Sequence, residues 1–299
     1  MSTDPESKEL SMNWLLSAFT DEAGVSVAEQ IAACKRASLK HLDLRGIEGH
    51  SIIDLPEDTA RDIKAKLDAA DISVHMFGSP IGKLDISDDF DIDAKRLDHL
   101  AVMRDVFGCN LVRIFSYYNK QEKPSDVWQT ESLNRLKRLR DQAGKLGLVL
   151  FHENERHIFG DRCSEVEVIA SELRDATVFK LIFDFDNYNQ SGDDVWENWL
   201  RLKDKTDAFH LKDSDGDNQH VPVGKGQGKV REILADAVAG GWDGPLSLEP
   251  HLQHSKAVMA TGVSGSGNSS YADMTPADAF HSAADSAIQL MDELNVRLI

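Results

Sequence analysis

The sequence predicts a (β/α)8 barrel of the α/β class, formed by one domain. Three observations predict it. Eight short, almost continuous apolar runs recur along the chain, the pattern of parallel strands covered on both faces. A stretch with helical periodicity follows each run, at a spacing ordinary for a βαβ crossover. The chain has 299 residues, a length that suits one barrel, since such barrels run to about 250 residues or more. Eight strands alternating with eight helices favour closure over an open sheet with two edges to cover, although one missed strand would reopen the doubly wound alternative.

The elements follow in order. After a polar tail at 1–12, the first strand is expected over Trp14–Phe19, with a helix around Ile31 and Cys34. His41–Arg45 precedes a helix carrying Ile63 and Leu67, and Ile72–Phe77 precedes one carrying Leu97, Leu100 and Ala101. Leu111–Phe115 leads into a long helix that opens at "PSDVWQ" and holds Leu133, Leu136 and Ala143. Ser125 or Asp126 is its expected N-cap. Strands at Leu148–Glu153, Leu181–Asp184 and Ala208–Lys212 precede helices centred on Val168 and Leu173, on Trp196 and Leu200, and on Ile233 and Ala237. The eighth strand, Leu246–Glu249, is separated by an insertion at 252–276 from a last helix with Phe280, Ala283, Ala287 and Leu294. The low-complexity part, "TGVSGSGNSSYADMTP" at 261–276, falls on the C-terminal face as either a mobile lid or a tolerated insertion.

Composition excludes several classes. A formal net charge of −18 repels phosphates and anionic lipids, so nucleic acid and membrane are not expected partners. No window approaches the roughly 18 uninterrupted apolar residues of a membrane span. The N-terminus, "MSTDPESKEL", has no basic region leading into an apolar core, which argues against a signal peptide and for a cytoplasmic location. Cys34, Cys109 and Cys163 are scattered without CxxC spacing and are expected as reduced packing residues.

The stretch "FHENERHIF" at 151–159 looks like a damaged zinc-protease signature. Its histidines, His152 and His157, are five apart and would diverge by roughly 140° on a helix. Its position at the end of an apolar run gives another meaning. Strand five ends in His152-Glu153 and strand six in Asp184; strand seven carries His210 and Lys212, and strand eight ends in Glu249. Four consecutive strands thus each deliver a carboxylate or imidazole to the C-terminal mouth, where barrel enzymes keep their chemistry. Three crowded carboxylates need a proton or a cation between them. The set Glu153, Asp184, His210 and Glu249 is hard and oxygen-rich, which favours Mn²⁺, with Mg²⁺ or Co²⁺ next, over a thiolate zinc site. Glu155 and Asp186 stand two residues from Glu153 and Asp184 as rival ligands.

Other strand ends carry Arg45, Arg113 in "LVRIFS" and Lys83 beyond "FGSPIGK"; with Lys212 these are candidates to touch a substrate. Glycines 224, 226 and 228 in "VGKGQGK" look like a phosphate cradle, but the spacing matches neither a P-loop nor a dinucleotide fingerprint. As a turn before the seventh helix they need no ligand.

The segments "SAFTDEAG", "HLDLRGI", "GSPIGK", "VRIFSYY", "HENE", "FDFDNYNQSGDD", "FHLKDSD" and "LSLEPHL", in this order from about residue 14 to 295, resemble the sugar phosphate isomerase/epimerase family of the xylose isomerase-like TIM barrel superfamily. The resemblance implies a divalent metal, Zn²⁺ included among the options, held by Glu153, Asp184, His210 and Glu249. It implies Glu153 and Glu249 as the acid/base pair on opposite faces of a sugar or sugar phosphate. It points to Asn187 as a substrate contact, and His152, Asn154 and His251 flank the ligands as further candidates. Ketose 3-epimerases of the family often carry His where Asn187 stands and Arg a few residues after the strand-seven histidine, where this chain has "KDSDGDN". The implied activity is therefore a metal-dependent isomerase or epimerase, with a lyase or hydratase on a keto-sugar as the alternative. An endonuclease IV-like nuclease and a non-catalytic sugar-binding barrel rank lower. A homo-oligomer is common in this group and leaves no mark in the sequence.

Overall fold

Eight parallel strands form the barrel, hydrogen-bonded in the order β1-β8-β7-β6-β5-β4-β3-β2. They are β1 Leu16–Ala18, β2 His41–Leu44, β3 Ser73–Phe77, β4 Leu111–Ile114, β5 Val149–Glu153, β6 Phe179–Asp184, β7 Ala208–Leu211 and β8 Leu246–Leu248. The computed structural model describes residues 12–253 and 268–299, with Met259 between them. Tail residues 1–11, and 254–267 of the expected insertion apart from Met259, lie outside the described residues. No ladder joins β1 to β2. A side-chain bond crosses that seam: the Ser17 hydroxyl donates to Asp43 Oδ2 at 2.6 Å.

The layer outside the strands consists of α1 Val27–Arg36, α2 Glu57–Ala69, α3 Asp91–Phe107, α4 Ser125–Leu146, α5 Cys163–Leu173, α6 Val195–Leu202, α7 Val230–Ala239 and α8 Pro276–Glu293. Local chemistry sets their ends. Ser26 and Glu29 cap α1 reciprocally, Asp194 accepts from the Trp196 and Glu197 amides at α6, and Thr275 caps α8 with Pro276 as first residue. The segment expected as a loop up to 276 therefore ends in an orderly helix start. At α4 the expected cap is corrected. Ser125 is already helical, and extended Pro124 stands at the cap position without a side-chain bond, because a proline presets the dihedral needed to enter a helix and has no N–H to satisfy.

The expected first strand is also corrected. Met12–Trp14 leaves the barrel and pairs in parallel with Val296–Leu298, a strand too short to show periodicity, and only Leu16–Ala18 enters the eight-stranded sheet. The Trp14 indole explains the split: its Nε1 donates to the Trp242 carbonyl at 2.8 Å, and the two rings pack edge to face. Pleating sends alternate residues of each strand to opposite faces. Leu150 and Leu181 thus join the large core under the helices, while Met76, Phe151, Ile182 and Ala208 fill a smaller core inside the barrel. Above this apolar floor the strand ends turn polar.

The glycine loop before α7 holds its own anion. The amides of Gly224, Gly226 and Gly228 donate to the Asp213 carboxylate at 3.0, 2.9 and 2.9 Å. The cradle suggested by the sequence is thus filled from within the chain, which leaves no room for phosphate. Burial pushes the Asp213 carboxyl up to about 6, against the pull of these amides. A Cβ on Gly226 would lie 2.3 Å from Asp213 Oδ1 and 2.4 Å from the Ser214 carbonyl. Gly226→Ala should therefore destabilise the fold by about 2–3 kcal/mol. Gly144→Ala, inside α4, meets only Val178 at 3.6 Å and should stabilise by about 0.5–1 kcal/mol. Urea unfolding midpoints compare the two directly.

Candidate metal centre and active site

Strand register gathers the four expected ligands. His210 pairs across the sheet with Asp184 on one side and Ser247 on the other. Glu153 closes β5, and Glu249 follows β8 with its amide bound to the Leu211 carbonyl at 3.2 Å. One ligand atom from each of Glu153, Asp184, His210 and Glu249 falls within 4.8 Å of all the others, and all four residues are buried. His210 Nδ1 lies 2.9 Å from Glu153 Oε1 and 3.4 Å from Glu249 Oε2. Of the ligand atoms, Glu153 Oε2 and Asp184 Oδ2 make no hydrogen bond and face only the cations Arg113 and Lys212, at 3.3 and 3.1 Å, while His210 Nε2 has no hydrogen-bond partner. Leaving an atom such as His210 Nε2 unsatisfied inside a protein costs about 1–3 kcal/mol. A donor set of three carboxylates and one imidazole around shared space fits a hard divalent ion, so these residues fit the metal that the sequence pattern implies.

Burial opposes every charge in this cluster, and ion pairs decide each outcome. Burial would raise Glu153, but His210 and Arg113 outweigh it and hold the carboxyl at about 2. Glu249 is likewise held well below the usual range, burial being overcome by Lys212, Arg113 and His210. For His210, burial would lower the imidazole, yet Glu153 and Glu249 raise it to about 9. Asp184 is pushed up, chiefly by burial and then by Glu153 and Asp186, against Lys212. Lys212 nevertheless keeps its proton above the usual range, Asp184 and Glu249 overcoming its burial. These two shifts disagree over the charge of Asp184. The 3.1 Å contact between Lys212 Nζ and Asp184 Oδ2 decides for an ion pair.

The rivals have other partners. Glu155 Oε2 is 2.8 Å from Lys83 Nζ, and Asp186 Oδ2 is 3.1 Å from His220 Nε2 and accepts from Gln190. Asn154 and Asn187 act as clamps: Asn154 bonds both the amide and the carbonyl of Asp184, while Asn187 donates its amide N–H to Asp184 Oδ1 and its side chain to the Asn154 carbonyl. His152 is displaced from the expected site. With Glu153 facing inward, the adjacent residue must face outward, and His152 sits under the helices, 2.8 Å from the Ser116 hydroxyl and stacked on Phe179.

Arg45 spends its donors on acids rather than on open space. It binds Asp21 twice at 2.8 Å, Glu249 Oε1 at 2.8 Å and Glu22 Oε1 at 3.4 Å. His251, at positive φ, places Nδ1 2.8 Å from Glu22 and Nε2 3.7 Å from Glu249. Glu22, Glu249 and His251 also meet within 4.8 Å, but the Arg45 charge already fills that group. Asp21, Glu22 and His220 were not singled out from the sequence. The adjacent acids in "FTDEAG" were the available signal for the first two, because they follow strand one onto the same barrel face; His220 lies in a short hairpin with no such cue. Arg113 stands between the two glutamates, its NH1 3.3 Å from Glu153 Oε2 and 3.3 Å from Glu249 Oε1.

The family described as "Xylose isomerase-like TIM barrel" matches residues 36–265. No curated protein sequence matches. Among solved structures, D-psicose 3-epimerase in the presence of D-fructose is similar over 95% of this chain and 99% of its own, with a TM-score of 0.68 at 14% identity. The probable 3-DHS dehydratase of petrobactin synthesis from Bacillus anthracis covers 93% and 99%, with a TM-score of 0.68 at 16% identity. The 3-keto-D-glucoside 4-epimerase from E. coli covers 94% and 99%, with a TM-score of 0.64 at 14% identity. Likeness at such identities is one of fold.

An imidazole raised to about 9 carries a proton near neutral pH, and a metal ligand must give it up. Mn²⁺ uptake near neutral pH should release at least about one proton, and affinity should rise with pH. Without metal, the His210 contribution to stability is fully present below its unfolded value, near 6.5, and is lost as pH rises through about 9. Calorimetry of Mn²⁺ binding in buffers of different ionisation heat, and melting of the metal-free protein across this window, check both signs.

Proposed function

The chain belongs to the xylose isomerase-like TIM barrel family, and from this we propose that it is a divalent-metal-dependent enzyme that isomerises or epimerises a sugar or sugar derivative. One observation carries the reading: the buried convergence of Glu153, Asp184, His210 and Glu249, with ligand atoms within 4.8 Å of one another. Mn²⁺ is the metal we assign to it, on the hardness of the donors. A divalent ion there would polarise a substrate carbonyl and acidify the neighbouring C–H.

The side chains supply the remaining steps. Glu153 and Glu249 are both held as carboxylates and face one another across the mouth, bridged by Arg113. One, as the carboxylate, would remove the proton beside the carbonyl; the other would first take up a proton from solvent and then deliver it to the opposite side, which inverts the carbon and leaves the proton count unchanged. Lys212, beside Asp184 and Glu249, would steady negative charge on a substrate oxygen. Asn154 and Asn187 keep Asp184 in register. A small-molecule substrate follows from this reading.

The second reading, elimination from a keto-sugar, uses the same first proton removal, and the solved structures of similar fold include both epimerases and a probable dehydratase. A nuclease reading finds less support: His152 faces away from the mouth, and the Glu22–His251 group is filled by Arg45.

Glu153→Gln and Glu249→Gln should each lower turnover by about 10²–10⁴-fold, with circular dichroism close to that of the parent and a lower melting temperature without metal, because His210 and Arg113 each lose a counter-charge. Mn²⁺ content, measured alongside, separates lost chemistry from lost metal. Turnover in D₂O distinguishes the readings, since solvent deuterium in an isomer supports proton return and an unsaturated product supports elimination. Near-parental rates in either variant would refute the acid/base assignment.

A further inference from the structure

Arg113 is the cation whose partners the proposed chemistry takes away. It projects from β4 into the barrel, is 4% exposed, and its guanidinium carbon lies 4.8 Å from the Phe19 ring centroid and 4.9 Å from that of Phe115. Its Nε is buried with no hydrogen-bond partner. Its ion pairs are Glu153 and Glu249, each at a loose 3.3 Å from the same nitrogen. The other mouth cations are committed more tightly: Arg45 to Asp21 and Glu249 at 2.8 Å, Lys83 to Glu155 at 2.8 Å, and Lys212 to Asp184 at 3.1 Å.

This inference rests on the metal reading above. A divalent ion and Lys212 together supply three positive charges against the three carboxylates Glu153, Asp184 and Glu249. The ligands are then balanced without Arg113, whose guanidinium keeps its charge and its planar fork of donors. A charge held between two aromatic rings at low exposure requires a counter-charge. We propose that Arg113 receives a carboxylate of the substrate, attached at or next to the reacting carbon, so that the substrate is a hydroxy-keto acid rather than a neutral sugar. Position selects carboxylate over phosphate. Arg113 lies within 3.3 Å of both proton-transferring glutamates, so its partner must sit at the reacting end of the molecule, whereas a terminal sugar phosphate sits several bonds away. A carboxylate also matches the guanidinium fork two oxygens to two nitrogens.

The test uses 2-keto-D-gluconate and D-fructose, which share a carbon skeleton and differ at carbon one, carboxylate against hydroxymethyl. Calorimetry on the Mn²⁺-loaded protein should show the keto acid binding at least about thirtyfold more tightly. Arg113→Met should abolish that preference while Mn²⁺ is still taken up, and Arg113→Lys should restore part of it, which separates charge recognition from a folding defect. Equal binding of the two ligands by the parent, or a preference that survives in Arg113→Met, overturns the assignment. Preference for D-fructose 6-phosphate over the keto acid overturns the carboxylate in favour of phosphate. Failure of the parent to take up Mn²⁺ refutes the metal reading and this inference with it; uptake without anion preference refutes this inference alone.

Discussion

Everything at the barrel mouth answers to one constraint: three carboxylates share a buried space too small to leave their charges uncompensated. In a low-dielectric interior, like charges at such separations are tolerated only with counter-charge in direct contact. The chain responds with His210, Lys212, Arg113 and Arg45, drawn from β7, the end of β7, β4 and the end of β2. The imidazole is one of these cations, and on the reading proposed above a metal ion would take over its role. The same side chains thus balance one another's charge by themselves and could also hold a metal ion.

The fold and the quartet were legible because both depend on periodicity and register. Apolar runs mark strands, and the residue that ends each run must lie at the mouth once the barrel closes, which is why Glu153, Asp184, His210 and Glu249 could be named together. What failed to show was whatever depends on one residue of phase or on contact across the barrel. His152 is adjacent to a ligand in sequence and on the opposite face in space. Arg45 occupies a strand end as expected, yet its partners Asp21 and Glu22 come from a short turn after β1 that has no periodic signature. The glycine loop showed a shape that binds anions but could not reveal that Asp213, eleven residues before the first of these glycines, is the anion.

A second tier of contacts fixes the first. Asn154 spans β5 and β6, Asn187 returns the favour from the short helix Phe185–Gln190 that Asp184 caps, and Arg45 ties Glu249 to the segment after β1. These bonds are made within the protein itself, so the orientation of the ligands is established before anything arrives from solution. Such preorganisation lowers the cost of binding and is the usual source of precision in active sites.

The pairing of Met12–Trp14 with Val296–Leu298, beside the ladder of β1 on β8, bears on biogenesis. Met12–Trp14 and β1 have no neighbour on that side until Val296–Leu298 and β8, far along the chain, have been made. The β2–β7 region can organise during synthesis, but closure must be a late event, joining segments that are distant along the chain. Such long-range pairing is slow and leaves edges exposed in the interim. Until closure, the free edges of β1 and β8 are the parts of the barrel open to wrong pairing.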